Sequence, residues 1–136
     1  LRDRVQAAAA RHGGYLMLTA EVGDDVFHAA NLLSTITAAY AADDNGIVVW
    51  LPDADLATTD VMYVGDVDRR PAHVWFNTMA ARVDAATSIA HTIGLPALGG
   101  LDVQLRTSSL DPAGAFKELR SAGAGLLEAR TLPHPA

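Results

Sequence analysis

Residues 72–107, AHVWFNTMAARVDAATSIAHTIGLPALGGLDVQLRT, decide how the chain is read. Val74, Phe76 and Thr78 alternate with Trp75, Asn77 and Met79. Ile89, His91 and Ile93 alternate with Ala90 and Thr92, and Val103 and Leu105 with Asp102, Gln104 and Arg106. A side-chain period of two belongs to a pleated strand with one covered face. Three such runs, parted by a short turn and then by a Gly/Pro-bounded loop, predict an antiparallel meander lying on a core.

Upstream, residues 2–12 read as a helix that Gly13-Gly14 ends. YLMLTAEV, residues 15–22, reads as a strand covered on both faces or nearly so. Asp24 or Asp25 caps a helix over 26–42, whose Phe27, Ala30, Leu33, Ile36 or Thr37, and Tyr40 recur at helical spacing. Asp43-Asp44-Asn45-Gly46 is turn chemistry. GIVVWL, residues 46–51, is a short apolar strand with nothing that prefers water, which predicts a central position. Within 52–71, Thr58-Thr59-Asp60 caps a short helix carrying Val61, Met62 and Val64.

Downstream, Asp111-Pro112 opens a helix, because Asp caps and Pro at the first position needs no donor. Phe116, Leu119, Gly123, Leu126 and Leu127 form its apolar face. Gly123 and Gly125 each cost about 1 kcal/mol relative to Ala, and they permit a close approach to the sheet. The Pro-broken tail TLPHPA is expected to fray. The resulting order, α, β, α, β, short α, β, β, β, α, predicts an α+β fold: a mostly antiparallel sheet of about five strands with helices packed on one face. Without repeats or low-complexity runs, residues 1–136 read as a single domain, or as a fragment of a longer chain given the Leu1 start.

Composition narrows the function classes. Half of the 136 residues are hydrophobic, many of them Ala, while aromatics are only 6%, so each large ring matters to packing. The net charge of -6 and the lack of any basic run argue against nucleic acid, whose binding depends on neutralising phosphates. With no Cys, thiolate metal sites, thiol nucleophiles and disulfides are excluded. No apolar run reaches the length of a membrane span, and the charged opening LRDRVQAAAARHGG does not read as a signal peptide. A cytoplasmic bacterial protein is the default expectation, the Arg and Ala usage suggesting a GC-rich genome.

Four stretches carry a resemblance: YLMLTAEV followed by VFHAANLLSTITAAYAA; GIVVW; PAHVWFN; and AHTIGLPALGGLDVQL followed by SSLDPAGAFKELRSAGAGLLE. Together they resemble the bacterial domain-of-unknown-function family 4261, in which a strand, a T-x-G-L turn, a small Gly/Pro loop, a further strand and a capped helix follow one another. The chain departs from that family at its end, where LPHPA replaces a polar Gly/Asp segment. The resemblance implies a compact α+β domain and transfers no catalytic residue.

Two constellations bear on chemistry. His73 and His91 fall on neighbouring predicted strands, and with Asp102 they would form a divalent-metal site. Half-exposed, solvated imidazoles are the simpler reading, since no H-x-H or H-E-x-x-H spacing occurs. Asp53, Asp55, Asp60, Asp66 and Asp68 make an acidic stretch. Calcium-loop spacing fails there, because Thr58 and Val64 stand where Gly and Glu are needed. A solvated loop, or a face for a basic partner, accounts for it more simply. No Ser lies in G-x-S-x-G or Ser-x-x-Lys, and no phosphate-loop pattern is present.

Function is therefore expected to be that of a non-catalytic protein-interaction module, immunity-like or assembly-docking, with those five Asp residues facing a basic protein. The alternative is a small metal-dependent hydrolase using His73 and His91. No cofactor is expected. An open edge of the meander would allow a homo-oligomer.

Overall fold

A computed structural model describes residues 2–43 and 46–131. Leu1, Asp44, Asn45 and residues 132–136 lie outside the described residues, and with them fall the middle of the expected 43–46 turn and most of the tail expected to fray. The helices are α1 (Arg2–Ala9), α2 (Val26–Ala41), α3 (Asp60–Arg69) and α4 (Pro112–Glu128). The strands are β1 (Val48–Leu51), β2 (Leu56–Thr59), β3 (Asn77–Arg82), β4 (Ser88–Ile93) and β5 (Gln104–Thr107). The chain divides into two compact units, one holding residues up to Pro52 with Leu56–Val74, the other Asp53–Asp55 with the residues from Trp75 onward.

In the first unit β1 and β2 form an antiparallel pair, Val48 opposite Thr59 and Leu51 opposite Leu56. Helices α1 and α3 pack on this pair, and α2 packs on α3. Asp25 caps α2 by accepting from the Phe27 and His28 amides at 3.0 and 3.1 Å, and Thr59 caps α3.

In the second unit β3, β4 and β5 form the expected antiparallel meander, with Met79, His91 and Gln104 in one cross-strand row and Ala80, Ala90 and Leu105 in the next. Helix α4 covers one face: Ala115 and Leu119 pack with Ala90, Ala80, Val103 and Leu105. The cap is the expected one, Asp111 accepting from Gly114 at 2.7 Å with Pro112 at the first position. A Cβ on Gly123 would lie 2.8 Å from the Phe76 ring, so that glycine lets helix and ring touch. In the β3–β4 turn, Asp84 accepts from the Ala86 and Thr87 amides. Those bonds, the Ala86 amide foremost, hold its carboxyl below the usual carboxylate range.

The described residues thus form an α+β fold with five antiparallel strands, divided between a two-stranded and a three-stranded sheet. Four local expectations are corrected. Residues 15–22 lie in no strand. β1 is not central: it has one neighbour, and Trp50 is 69% exposed. β2 has no counterpart in the expected strands, since LATT lacks an apolar run. The first run of the meander begins at Asn77, because Pro71–Val74 is a 3-10 turn closed by the His73 amide on the Arg70 carbonyl at 2.9 Å. Even so, Val74, Phe76 and Thr78 are all buried, so the alternation marks the inward side chains while misassigning the backbone of the first half.

Candidate functional site

Helix α2, VFHAANLLSTITAAYA, contains no Asp, Glu, Lys or Arg. A helix at a protein surface ordinarily shows water a charged face. The inner side of α2 has its cover: Ser34, Ala38 and Ala41 are buried, and α3 packs against the helix. Tyr63 of α3 is 1% exposed, and its hydroxyl is hydrogen-bonded by Ser34 and Thr37 of α2. Burial pushes that phenol above its ordinary pKa, and the two hydrogen bonds draw it partly back.

The outer side of α2 is different. Leu32, Ile36 and Tyr40 follow one another at helical spacing and are 48%, 40% and 58% exposed. The end of the segment that reads as a strand but is not one lines a cleft with Leu32 and Ile36. Within that segment Tyr15 is 88% and Met17 74% exposed. No residue from Gly14 to Gly23 makes a hydrogen bond to any described residue. The end of this segment and the helix line this cleft of about 340 Å³, with Leu32, Leu33 and Ile36 as its large apolar side chains and Glu21, Asp24 and Asp25 as its carboxylates. His28 is the sole basic residue type lining it. Asp25 is engaged at the α2 cap, while Glu21 and Asp24 are exposed carboxylates.

No family model, curated protein or solved structure matches the chain. The site therefore has to be read from its own chemistry.

A second cleft of about 450 Å³ lies between α1 and the start of α3, lined by Arg4, Arg11, Thr59 and Asp60 among others. Both arginines are exposed, and the Thr59 hydroxyl is engaged in the α3 cap.

The residues singled out from sequence are dispersed. Asp60, Asp66 and Asp68 lie on α3 in the first unit, with Asp68 the exposed one. Asp53 and Asp55 are exposed and group with the second unit, where Asp55 takes a positive φ of 45° and its carbonyl accepts from the Asn77 side chain. His73 is in the 3-10 turn of the first unit, contrary to its expected place on a strand. His91 is on β4 and exposed, in the second unit with Asp102. Among the described residues no group of three or more His, Asp or Glu side chains is placed to hold a metal ion.

Asp102 instead has a structural partner set. Its Oδ1 accepts from the Thr92 hydroxyl at 3.1 Å and from the Leu95 amide at 3.2 Å. That second bond ties down Leu95–Leu98, a 3-10 turn flanked by Gly94 and Gly99 at positive φ. Gly94 at φ 111° packs against Asp53 and Ala54 closely enough that a Cβ would be 3.0 Å from the Ala54 Cα. The helical spacing puts Ile36 and Tyr40 on one apolar face with Phe27, Ala30 and Leu33, yet the structure buries Ser34, Ala38 and Ala41 and leaves Ile36 and Tyr40 exposed. The sequence sign of that outer face is the absence of any charged residue across the helix.

Proposed function

We propose that this chain is a non-catalytic protein-interaction domain, of the immunity or assembly-docking kind, and that it docks through the first unit. The observation that carries the reading is the charge-free outer side of α2. Leu32, Ile36 and Tyr40 face water, and Leu32 and Ile36 share a cleft with the end of a segment, residues 14–23, that has no hydrogen-bond partner among the described residues. Contiguous exposed apolar surface rimmed by polar groups marks interaction sites. Carboxylates at the rim, with Asp60, Asp66 and Asp68 on the same unit, favour a basic protein, and charge of that kind raises association rate and selectivity. Among the described residues no helix is long and apolar enough to cross a membrane. Membership of family 4261 belongs to the same proposal and is supported by the T-I-G-L turn and the Asp111-Pro112 helix start.

The test is affinity capture at low salt with the wild-type chain and with a Leu32→Glu, Ile36→Glu double variant, proteins being identified by mass spectrometry. The expected result is a discrete partner held by the wild type and lost by the variant. A partner retained equally by both, or none held by either, would overturn the proposal.

A further inference from the structure

We propose that residues Tyr15–Val22 accept an extended, Lys/Arg-bearing segment of the partner as an added β-strand. This rests on the docking reading above and specifies its chemistry. Exposed backbone N–H and C=O groups that the chain does not pair internally are open to pairing with a second backbone. In YLMLTAEV, Leu16, Leu18, Ala20 and Val22 would share one apolar face of an extended chain, and no backbone group from Gly14 to Gly23 is hydrogen-bonded to a described residue. Strand addition ordinarily extends an existing sheet edge; here the incoming segment would instead make a two-stranded pair with residues 15–22, main-chain bonds giving affinity and alternate side chains filling adjoining apolar surface. That apolar surface is the Leu32–Ile36 stripe of α2, which shares a cleft with residues 19–25.

Charge selects among occupants. The cleft presents Glu21 and Asp24, and neither Lys nor Arg lines it. An anionic membrane surface or a nucleic acid would be repelled. A second copy carries the same charge of -6, which opposes self-association over long range. A segment alternating apolar residues with Lys or Arg meets both the apolar stripe and the carboxylates.

The experiment uses the whole chain with three synthetic peptides: alternating Val/Lys and alternating Val/Glu peptides of about eight residues, and an amphipathic Leu/Lys helix former. Binding is followed by titration and by amide hydrogen exchange. The Val/Lys peptide is expected to slow exchange across Leu16–Glu21. Its affinity should fall roughly tenfold with Glu21→Lys plus Asp24→Lys, or with backbone N-methylation of the peptide. Failure of the Val/Lys peptide to protect Leu16–Glu21, or equal protection by the Val/Glu peptide, would overturn the inference. If only the helix former binds, and binds α2 without protecting Leu16–Glu21, strand addition is wrong while the docking reading survives. Protection that depends on protein concentration without any peptide makes a second copy the occupant and overturns the basic-partner assignment. The docking reading itself falls only with the Leu32/Ile36 experiment.

Discussion

The Thr92 hydroxyl donates to Asp102 at 3.1 Å while accepting the Val103 amide at 2.8 Å, so one buried oxygen ties β4 to the chain that enters β5. Asp102 passes the restraint on to the Leu95 amide. Replacing Thr92 with Val keeps the shape and removes both bonds, leaving the Val103 amide without its acceptor. A loss of about 1–3 kcal/mol is expected, as for a polar group stripped of its partner. Thr92→Ser should restore most of it. Urea unfolding of the three proteins decides this, and equal midpoints for Thr92→Val and wild type would disprove it.

Two glycines of α4 should respond to alanine in opposite directions. At Gly125 a Cβ meets nothing within 4 Å, so Gly125→Ala should gain about 1 kcal/mol of helix propensity. At Gly123 the Cβ would meet Phe76, itself 2% exposed and unable to swing away freely. Gly123→Ala should therefore destabilise by about 1–3 kcal/mol. Phe76→Leu should be less damaging in the Gly123→Ala background than alone, because the two sites couple through one contact. Thermal melts of the single and double variants would expose additivity, which is the adverse outcome.

The legible parts of this chain are those where local chemistry and burial agree. Asp111-Pro112, Thr59 before α3 and the alternation of β4 and β5 state their roles within a few residues. Residues 15–22 misled because strand character is a property of side chains, whereas a strand requires a second backbone. Leu56–Thr59 misled in the other direction: LATT pairs with β1 although two threonines and an alanine announce nothing. His73 could not be placed from periodicity because Pro71 begins a 3-10 turn inside a run that still buries alternate residues. The acidic stretch looked continuous in sequence, yet the chain assigns Asp53 and Asp55 to one unit and Asp60 to the other.

Buried hydroxyls on the α4 side of the meander offer a contrast with Thr92. Thr78 is 5% and Ser88 0% exposed, and neither side-chain oxygen has a hydrogen-bond partner among the described residues. Both lie on the side of the sheet that carries Ala90. Ser88→Ala and Thr78→Val remove a desolvated hydroxyl without orphaning another group, so each should raise stability by about 1 kcal/mol. Midpoints below that of wild type in denaturant would show that these oxygens are satisfied after all.

Tyr63 links α3 to the inner side of α2, and its titration should report on that contact. Burial, opposed by hydrogen bonds with Ser34 and Thr37, holds the folded phenol above its ordinary pKa. The proton is therefore bound more tightly in the folded chain than in the unfolded one. The associated stability is complete below the unfolded value of about 10 and is lost as pH climbs through the folded value. Tyr63→Phe lacks this titration. Near neutral pH it should cost about 1 kcal/mol through the hydrogen bond lost by Thr37, while Ser34 keeps its bond to the Ala30 carbonyl. Because only the wild type weakens through Tyr63 at alkaline pH, the stability gap between the two proteins should narrow above pH ~10. Chemical unfolding measured across that range, alongside the ultraviolet titration of the phenol, reads both quantities. A gap that widens with pH would mean that the ring ionises more easily in the folded chain and is not enclosed between the two helices.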